Sequence, residues 1–303
     1  AASAHHDYQI VNSGGAGRLV IRTSADAKKF TDNSFEDLTV INSIAVPDGL
    51  FYYEKTSAPY PYSADGTRFW AADTPFLDPW VVIATMAGAT ERIRFYPSVL
   101  KLAVRDPLLV AKELSSCAVL AGERVGLGVG LSPWPEDFEV LREDWAQRGP
   151  RSAEMIEIIR GLLQGGMYEY HGRFYDFPRL QIAPVPRKPV PVYIGGLVEP
   201  VLKRAARIAD GYIGWENPRC SLDDLAQMIR RIEGYRRDYE RTGAFEYKFT
   251  PYSVAAQTRQ RLADIGVTDL ISPWLESHGA GAGLRERLDA VARFGDAIIG
   301  RSR

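Results

Sequence analysis

Pro191-Val192-Tyr193-Ile194-Gly195-Gly196 leads through Leu197-Val198-Glu199-Pro200 into Val201-Leu202-Lys203-Arg204-Ala205-Ala206-Arg207-Ile208-Ala209-Asp210-Gly211. An apolar run stops at two glycines, and a helical pattern begins within a few residues. A strand ending in Gly195-Gly196 leaves no Cβ in the way of a close ligand and frees backbone N–H groups at the mouth of the following helix. Those groups and the helix dipole suit a phosphate or carboxylate. Pro200 fits the first turn, where its missing N–H costs nothing. The plainer alternative is a strand-to-helix turn that needs glycine for sterics alone.

The alternation continues in both directions. Downstream, strand Gly211–Trp215 precedes a helix from about Leu222 to Arg241 with Ser221 as N-cap. Strand Tyr247–Thr250 precedes a helix from about Val254 to Ile265, stopped by Gly266. Strand Asp269–Ser272 precedes a last helix from about Leu284 to Ile299. Upstream, Arg124–Gly130 reads as a buried strand with alternating glycines that admit close approach. Asp106-Pro107 opens a helix whose apolar face carries Val110, Leu114 and Cys117. Arg92–Leu100 is a strand that Pro97 makes irregular, and Asp78-Pro79 opens another helix. Leu50–Tyr53 reads as a compact strand ending at Glu54-Lys55. The loop from Thr56 to Gly66 has proline, glycine and tyrosine at a density that suits a binding loop. Tyr8–Val11 and Arg18–Arg22 read as a hairpin, either run being a candidate first barrel strand. Residues 24 to 46 carry a weak helical pattern through Phe35, Leu38 and Ile41.

Such alternation in 303 residues predicts a single (β/α)8 TIM barrel over residues 1–303. Residues 132–189 form an insertion between strands 4 and 5, with a helix from Ala153 to Leu163 and an aromatic stretch around His171. Apolar residues make up 46% and charged residues 25%, as expected for a globular chain with a full core. A net charge of -1 argues against nucleic acid or an anionic membrane as partner. Cys117 and Cys220 form neither a disulfide framework nor a metal-spaced pair, so a reducing cytoplasm is expected. No run is long enough to span a bilayer and no signal-peptide pattern opens the chain. No chemistry is placed on His5 and His6.

The chain resembles the luciferase-like monooxygenase superfamily, and within it the actinobacterial branch associated with the deazaflavin coenzyme F420. The resemblance rests on Tyr60-Pro61-Tyr62-Ser63 with Asp65-Gly66, Leu77-Asp78-Pro79-Trp80 and Ala89-Thr90-Glu91-Arg92-Ile93-Arg94. It continues through Arg105-Asp106-Pro107 with Ala111-Lys112, Leu127-Gly128-Val129-Gly130, and Arg148-Gly149 with Arg151 and Glu154. Tyr170-His171-Gly172-Arg173-Phe174-Tyr175, Ile194-Gly195-Gly196 and Ala205-Ala206-Arg207 with Asp210-Gly211 complete it. It covers roughly residues 48 to 215.

The resemblance implies a planar tricyclic cofactor with a phosphate-bearing tail, F420 or alternatively FMN, at the carboxyl ends of the strands. Ser98, Val99, Gly130, Gly195, Gly196, Leu197 and Val198 are the implied cofactor-binding residues. Ser98-Val99 matches the place where the family carries a non-proline cis peptide against the ring, an ordinary bulge being the alternative. Family members with deazaflavin activity show Asp-His after the second strand, where Glu54-Lys55 is the expected catalytic pair here. A histidine titrates near about 6.5, whereas a lysine, near about 10.4, handles protons at neutral pH only if burial lowers it. Lys55 then either stabilises an anionic ring oxygen or forms a structural ion pair with Glu54. Some members carry a Glu after the fourth strand; here Leu131-Ser132 stand there. His171 reads as a turn residue, and His278 lies at a barrel mouth.

The expected function is hydride transfer between F420 and a small organic substrate by a homodimer. The rivals are an FMN-dependent monooxygenase, a cofactor binder that has lost catalysis, and a hydrolase using paired carboxylates such as Glu54 and Glu276.

Overall fold

The fold is set by short β-branched and aromatic strands alternating with helices that begin at a carboxylate or hydroxyl N-cap. The structure, a computed structural model, describes residues 7–12, 17–22, 43–68 and 70–271. The early elements are β1 (Asp7–Asn12), β2 (Gly17–Arg22), β3 (Ser43–Val46), α1 (Pro79–Gly88), β4 (Arg94–Pro97), β5 (Leu100–Lys101), α2 (Pro107–Leu120) and β6 (Leu127–Gly130). Then follow α3 (Pro135–Val140), α4 (Arg148–Leu163), β7 (Tyr168–His171), β8 (Asp176–Leu180), β9 (Val192–Gly195) and α5 (Glu199–Ile208). The last are β10 (Gly211–Trp215), α6 (Leu222–Asp238), β11 (Glu246–Thr250), α7 (Ala256–Asp264) and β12 (Asp269–Leu270).

Strands β12-β11-β10-β9-β6-β5 form a six-stranded sheet, and β3-β4 form a pair joined to it through a parallel bridge between Phe95 and Val125. All these pairings are parallel. Helices cover the outer face, the layout of a (β/α)8 barrel. Phe95, Leu127, Val192 and Phe249 from the strands meet Ile83, Leu114, Met155, Leu202 and Ile232 from the helices, all essentially inaccessible to water. Burying each such side chain contributes about 1.5–3 kcal/mol. Inside the barrel lie Tyr96, Tyr193 and Ile213. Lys248 is buried there beneath them, tolerated because Glu246 (2.6 Å) and Asp269 (3.2 Å) neutralise it.

The expected caps are present. Asp78 accepts from the Trp80 amide at 2.9 Å and Asp106 from the Leu108 amide at 2.8 Å. Ser221 and Asp224 form a reciprocal capping box. Gly266, at φ 98°, follows the end of α7.

Four expectations need correction. Leu50–Tyr53 is not a strand: the barrel strand at that place is β3, and residues 50–53 are irregular. Phe51 and Tyr52 are exposed, and these aromatic groups serve loop contacts, Tyr52 beneath the Arg68 guanidinium at 3.6 Å. Among the described residues strand β1 pairs only with β2, antiparallel, so the two runs form the expected hairpin and neither arm joins the barrel sheet. The segment 132–189 is not wholly an insertion. Its helix α4 packs between α2 and α5 and buries Met155, Ile156, Ile159 and Leu162 in the main core, which makes it a barrel helix. The additions are α3 and the antiparallel hairpin β7-β8. Of the helical pattern expected at 24–46, residues 43–46 are instead strand β3, where β-branched Ile44 and Val46 sit in the ladder beside β4; its remainder, the helix from about Leu284 to Ile299, Glu276 and His278 lie outside the described residues. No described helix is long and apolar enough to cross a membrane.

Candidate active site

A cavity of about 1480 Å³ opens at the carboxyl ends of the parallel strands. Ser98 and Val99 enter it after β4, Gly130 ends β6, Gly195 ends β9 with Gly196 next, and Leu197 and Val198 precede α5. Every cofactor-binding residue named from the sequence lines this one space. The Ser98-Val99 peptide is cis. The Val99 side chain lies against Gly130, where a Cβ would collide with Val99 Cγ2. A second close approach brings Val99 Cγ1 to 3.2 Å of the place a Cβ on Gly195 would take. Gly196 has φ 139°, a conformation L side chains rarely adopt. No side chain caps α5, and Pro200 sits in its first turn. The one carboxylate of that turn, Glu199, is taken up by Arg231 and the Tyr235 hydroxyl. The Val201 and Leu202 amides donate to the Val198 carbonyl and Pro200 has no N–H, so the helix start leaves the backbone donors before Pro200, with no side-chain cap on them among the described residues.

Arg148 also lines the cavity. It lies over the Trp145 ring at 3.7 Å and donates to the Trp145 carbonyl at 2.7 Å. Burial pulls its pKa down, as burial and the neighbouring Arg207 and Arg148 do for Arg204. Half-buried guanidiniums gathered in this way make a place where an anion is favourable. The Arg148-Gly149 pair was visible in the sequence as a motif, but nothing in its spacing assigned it to the cavity.

Glu54 and Lys55 stand elsewhere. Both are exposed at a bend, and neither lines the cavity. The strand before them is β3, so the residue at its mouth is Asp48. That carboxylate accepts from the Lys101 amide at 2.8 Å and from Arg105 at 2.9 Å. A cation near that carboxylate at the cavity wall is Lys101, whose Nζ meets Asp137 Oδ2 at 2.6 Å. Asp137 is fully buried and also accepts from Ser132 Oγ at 2.6 Å and the Tyr53 hydroxyl at 3.0 Å. Ser132 Oγ in turn accepts from the Trp134 amide at 3.1 Å. This network went unnoticed in the sequence because its members are far apart along the chain. His171 is on the exposed hairpin, bonded to Asp176.

The loop between β3 and α1 roofs the space. Tyr60 is buried, stacks on Trp134 at 5.7 Å and meets Trp70 edge-on at 5.0 Å; Tyr62 lies against Trp215 at 5.5 Å. Burial pushes both phenols well above their ordinary pKa, so they stay neutral at physiological pH.

A cavity at the carboxyl ends of parallel barrel strands, lined by glycine backbone and a helix start, defines the site of a barrel enzyme. Residues 66–290 match the model of the luciferase-like monooxygenase family, and the chain belongs to that family of oxidoreductases. An uncharacterised protein of Mycobacterium tuberculosis is 42% identical over 232 residues, covering 76% of this chain and 79% of the relative. The F420-dependent glucose-6-phosphate dehydrogenase of Amycolatopsis mediterranei is 26% identical over 233 residues, covering 65% of this chain and 70% of that enzyme. Among solved structures, the coenzyme F420-dependent tetrahydromethanopterin reductase of Methanopyrus kandleri superposes with TM-score 0.64 at 14% identity, over 91% of this chain and 96% of that one.

Proposed function

We propose that the protein transfers a hydride between the deazaflavin coenzyme F420 and a small organic substrate. The observation that carries this reading is the convergence of Ser98-Val99, Gly130 and Gly195–Val198 on one cavity. Its 1480 Å³ exceeds the roughly 300–1,000 Å³ of a usual single-ligand site, leaving room for a tricyclic cofactor beside a substrate. The relation to an F420-dependent dehydrogenase supports the choice of cofactor. The glycines fit the group: a Cβ at Gly130 or Gly195 would crowd Val99 at the strand ends. The amides at the start of α5 and the Arg148 guanidinium would hold its phosphate, and the Val99 side chain would support the ring. When bound, the deazaflavin supplies the hydride chemistry. The protein's part is to orient ring and substrate and, with the aromatic loop, to exclude water. Lys101, held by Asp137 at 2.6 Å, forms part of the cavity wall. Pairing as a homodimer and residence in the cytoplasm belong to the same reading.

Titration of the purified protein with F420 and, separately, FMN, followed by cofactor fluorescence, tests it. Saturable F420 binding at micromolar concentration, with FMN weaker, is the expected result. Tight FMN binding without F420 binding would replace it with the FMN-dependent monooxygenase. F420 binding without oxidation of the reduced cofactor by any carbonyl compound in a broad panel would favour the non-catalytic binder.

A further inference from the structure

We infer that Arg204 and Arg148 together form an oxyanion site at the edge of the cavity, which takes the cofactor's phosphate or a carboxylate further along its tail; this rests on the cofactor reading above. Arg204 stands in the second turn of α5 and belongs to none of the sequence motifs. Helical side chains lean back towards the N-terminus, so its stem runs towards the start of α5. Its guanidinium reaches the start of α4: a Cβ added to Gly149 would stand 2.6 Å from Arg204 Nη2. Gly149 follows Arg148, which lines the cavity, as do Leu197 and Val198 just before α5. Strands β6 and β9 pair in parallel, and α4 packs against α5. The contact between Arg204 and Gly149 therefore joins the two helix starts beside the cavity.

The charge gathered there is positive. Helix α4 has no side-chain cap and no acidic residue in its first turn, and α5 has no side-chain cap. Both starts carry the positive end of a helix dipole. Arg204 is half-buried, and among the described residues no carboxylate pairs with it and no acceptor takes its N–H groups. The nearby carboxylates are committed elsewhere: Glu199 to Arg231, Glu143 to Arg151, and Glu154 to backbone amides between β7 and β8. Arg148 is bonded only to a carbonyl and stacked on a ring, so its charge is uncompensated too. Arg207, one turn after Arg204, adds a further cation. Partly desolvated guanidiniums beside a positive helix start repel one another, and an anion between them relieves that repulsion. A guanidinium fork pairs two oxygens of a phosphate or carboxylate at once, which fixes the class of ligand. Glycine at 149 has a role in this arrangement, because a side chain there would push the fork aside.

Isothermal titration with four ligands tests this. F420 carries carboxylates beyond its phosphate, FMN ends at the phosphate, and riboflavin and the tail-free deazariboflavin have neither. Arg204→Gln is expected to weaken at least one phosphate-bearing ligand fivefold or more, with both tail-free ligands within twofold of wild type. Losing an unpaired cation should leave the melting temperature of the unliganded protein unchanged or raise it. Gly149→Ala is the second variant. Alanine suits a helix better than glycine, and the only group displaced is the end of a flexible side chain, so it should fold and still lower affinity for the same ligand. Equal losses for F420 and FMN place the phosphate on Arg204; a loss for F420 alone places a carboxylate of the tail there. Unchanged affinity for both phosphate-bearing ligands in the folded variants overturns the inference. So do equal losses for the tail-free ligands, or a lowered melting temperature with unchanged affinity, which would make Arg204 a packing residue. Should neither cofactor bind the wild type, the cofactor reading fails, and inorganic phosphate decides the site separately. Saturable phosphate binding that Arg204→Gln abolishes would keep the oxyanion site, and its absence would remove it.

Discussion

Replacing Asp137 should damage both stability and the cavity wall, because one fully buried carboxylate there serves three donors. Lys101 Nζ and Ser132 Oγ each donate at 2.6 Å and the Tyr53 hydroxyl at 3.0 Å. The Lys101 side chain is only 11% exposed, so solvent screens the pair weakly. In Asp137→Ala an ammonium is left without its partner at a nearly dry site, which costs about 3–5 kcal/mol. The Ser132 and Tyr53 hydroxyls also lose their acceptor, and water in the new space recovers part of that loss. Asp137→Asn keeps shape and one acceptor oxygen but loses the charge, and about 1–3 kcal/mol is expected. Adding Lys101→Met to Asp137→Asn removes the stranded cation and should restore part of the loss, a coupling visible in a double-mutant cycle. Urea unfolding followed by circular dichroism measures these differences as midpoint shifts at constant slope. The same variants test the link to the site. Ser132 Oγ accepts the Trp134 amide at 3.1 Å, so freeing Ser132 should loosen Trp134 and shift the tryptophan emission of the folded protein. An Asp137→Ala variant within about 1 kcal/mol of wild type, or additive single and double mutants, would refute the assignment of a coupled buried network.

Other outcomes follow from the cavity and its surroundings. Arg148→Gln should weaken F420 binding about tenfold and flatten its salt dependence, since one cation near the phosphate is lost; identical salt slopes would remove Arg148 from the site. Gly196→Asp puts a carboxylate at the start of α5 and a Cβ 3.1 Å from Val201 Cγ1, at φ 139°. Cofactor affinity should fall more than tenfold, with Gly196→Ala separating steric from charge effects, and unchanged affinity in both would end the phosphate-site reading. Lys55→Ala should leave hydride-transfer kinetics at saturating cofactor within error, because the side chain is exposed and outside the cavity; a tenfold loss would return it to the site. Burial pushes both Cys117 and Cys220 up to about 11. At pH 8 the thiolate fraction is then about 10⁻³, so a disulfide reagent should label them only after denaturation. Their raised folded values contribute stability below the ordinary thiol range that is lost as pH rises towards 11, when the unfolded chain sheds protons the folded one keeps.

What the sequence made legible was local chemistry. Asp78-Pro79, Asp106-Pro107 and Ser221 state a helix start in adjacent residues, and the helices begin there. Gly195-Gly196 before Pro200 likewise joined β9 to α5. The irregularity at Pro97 was readable because a proline inside a strand pattern has few other meanings, whereas the cis peptide at Ser98-Val99 was implied by the family resemblance. The failures came where two segments compete for one role. Leu50-Phe51-Tyr52-Tyr53 outscores Ser43-Ile44-Ala45-Val46 as a strand by apolar content, yet the shorter side chains took the ladder beside β4. Tyr53 instead reaches Asp137. Aromatic residues serve strands and ordered loops equally well, and only the partner decides between them. The error in that strand carried Glu54 and Lys55 into a site they do not line, and hid Asp48, which follows the true strand.

The missing parts of the candidate site share one property: each depends on a contact across long sequence separation. Lys101 meets a carboxylate on α3, Tyr60 meets Trp134, and Tyr62 meets Trp215. None of these pairs has a spacing that marks it, since their members come from different strand-to-helix loops brought together by barrel closure. That is a consequence of the architecture. A barrel holds its scaffold in local strand–helix units and assembles its chemistry from loops contributed by several of them. The Gly195-Gly196 turn is the exception, because strand end, glycines and helix start are consecutive in the chain. A sequence of this fold therefore discloses a strand–glycine–helix turn well before it discloses which loop residues meet across the cavity.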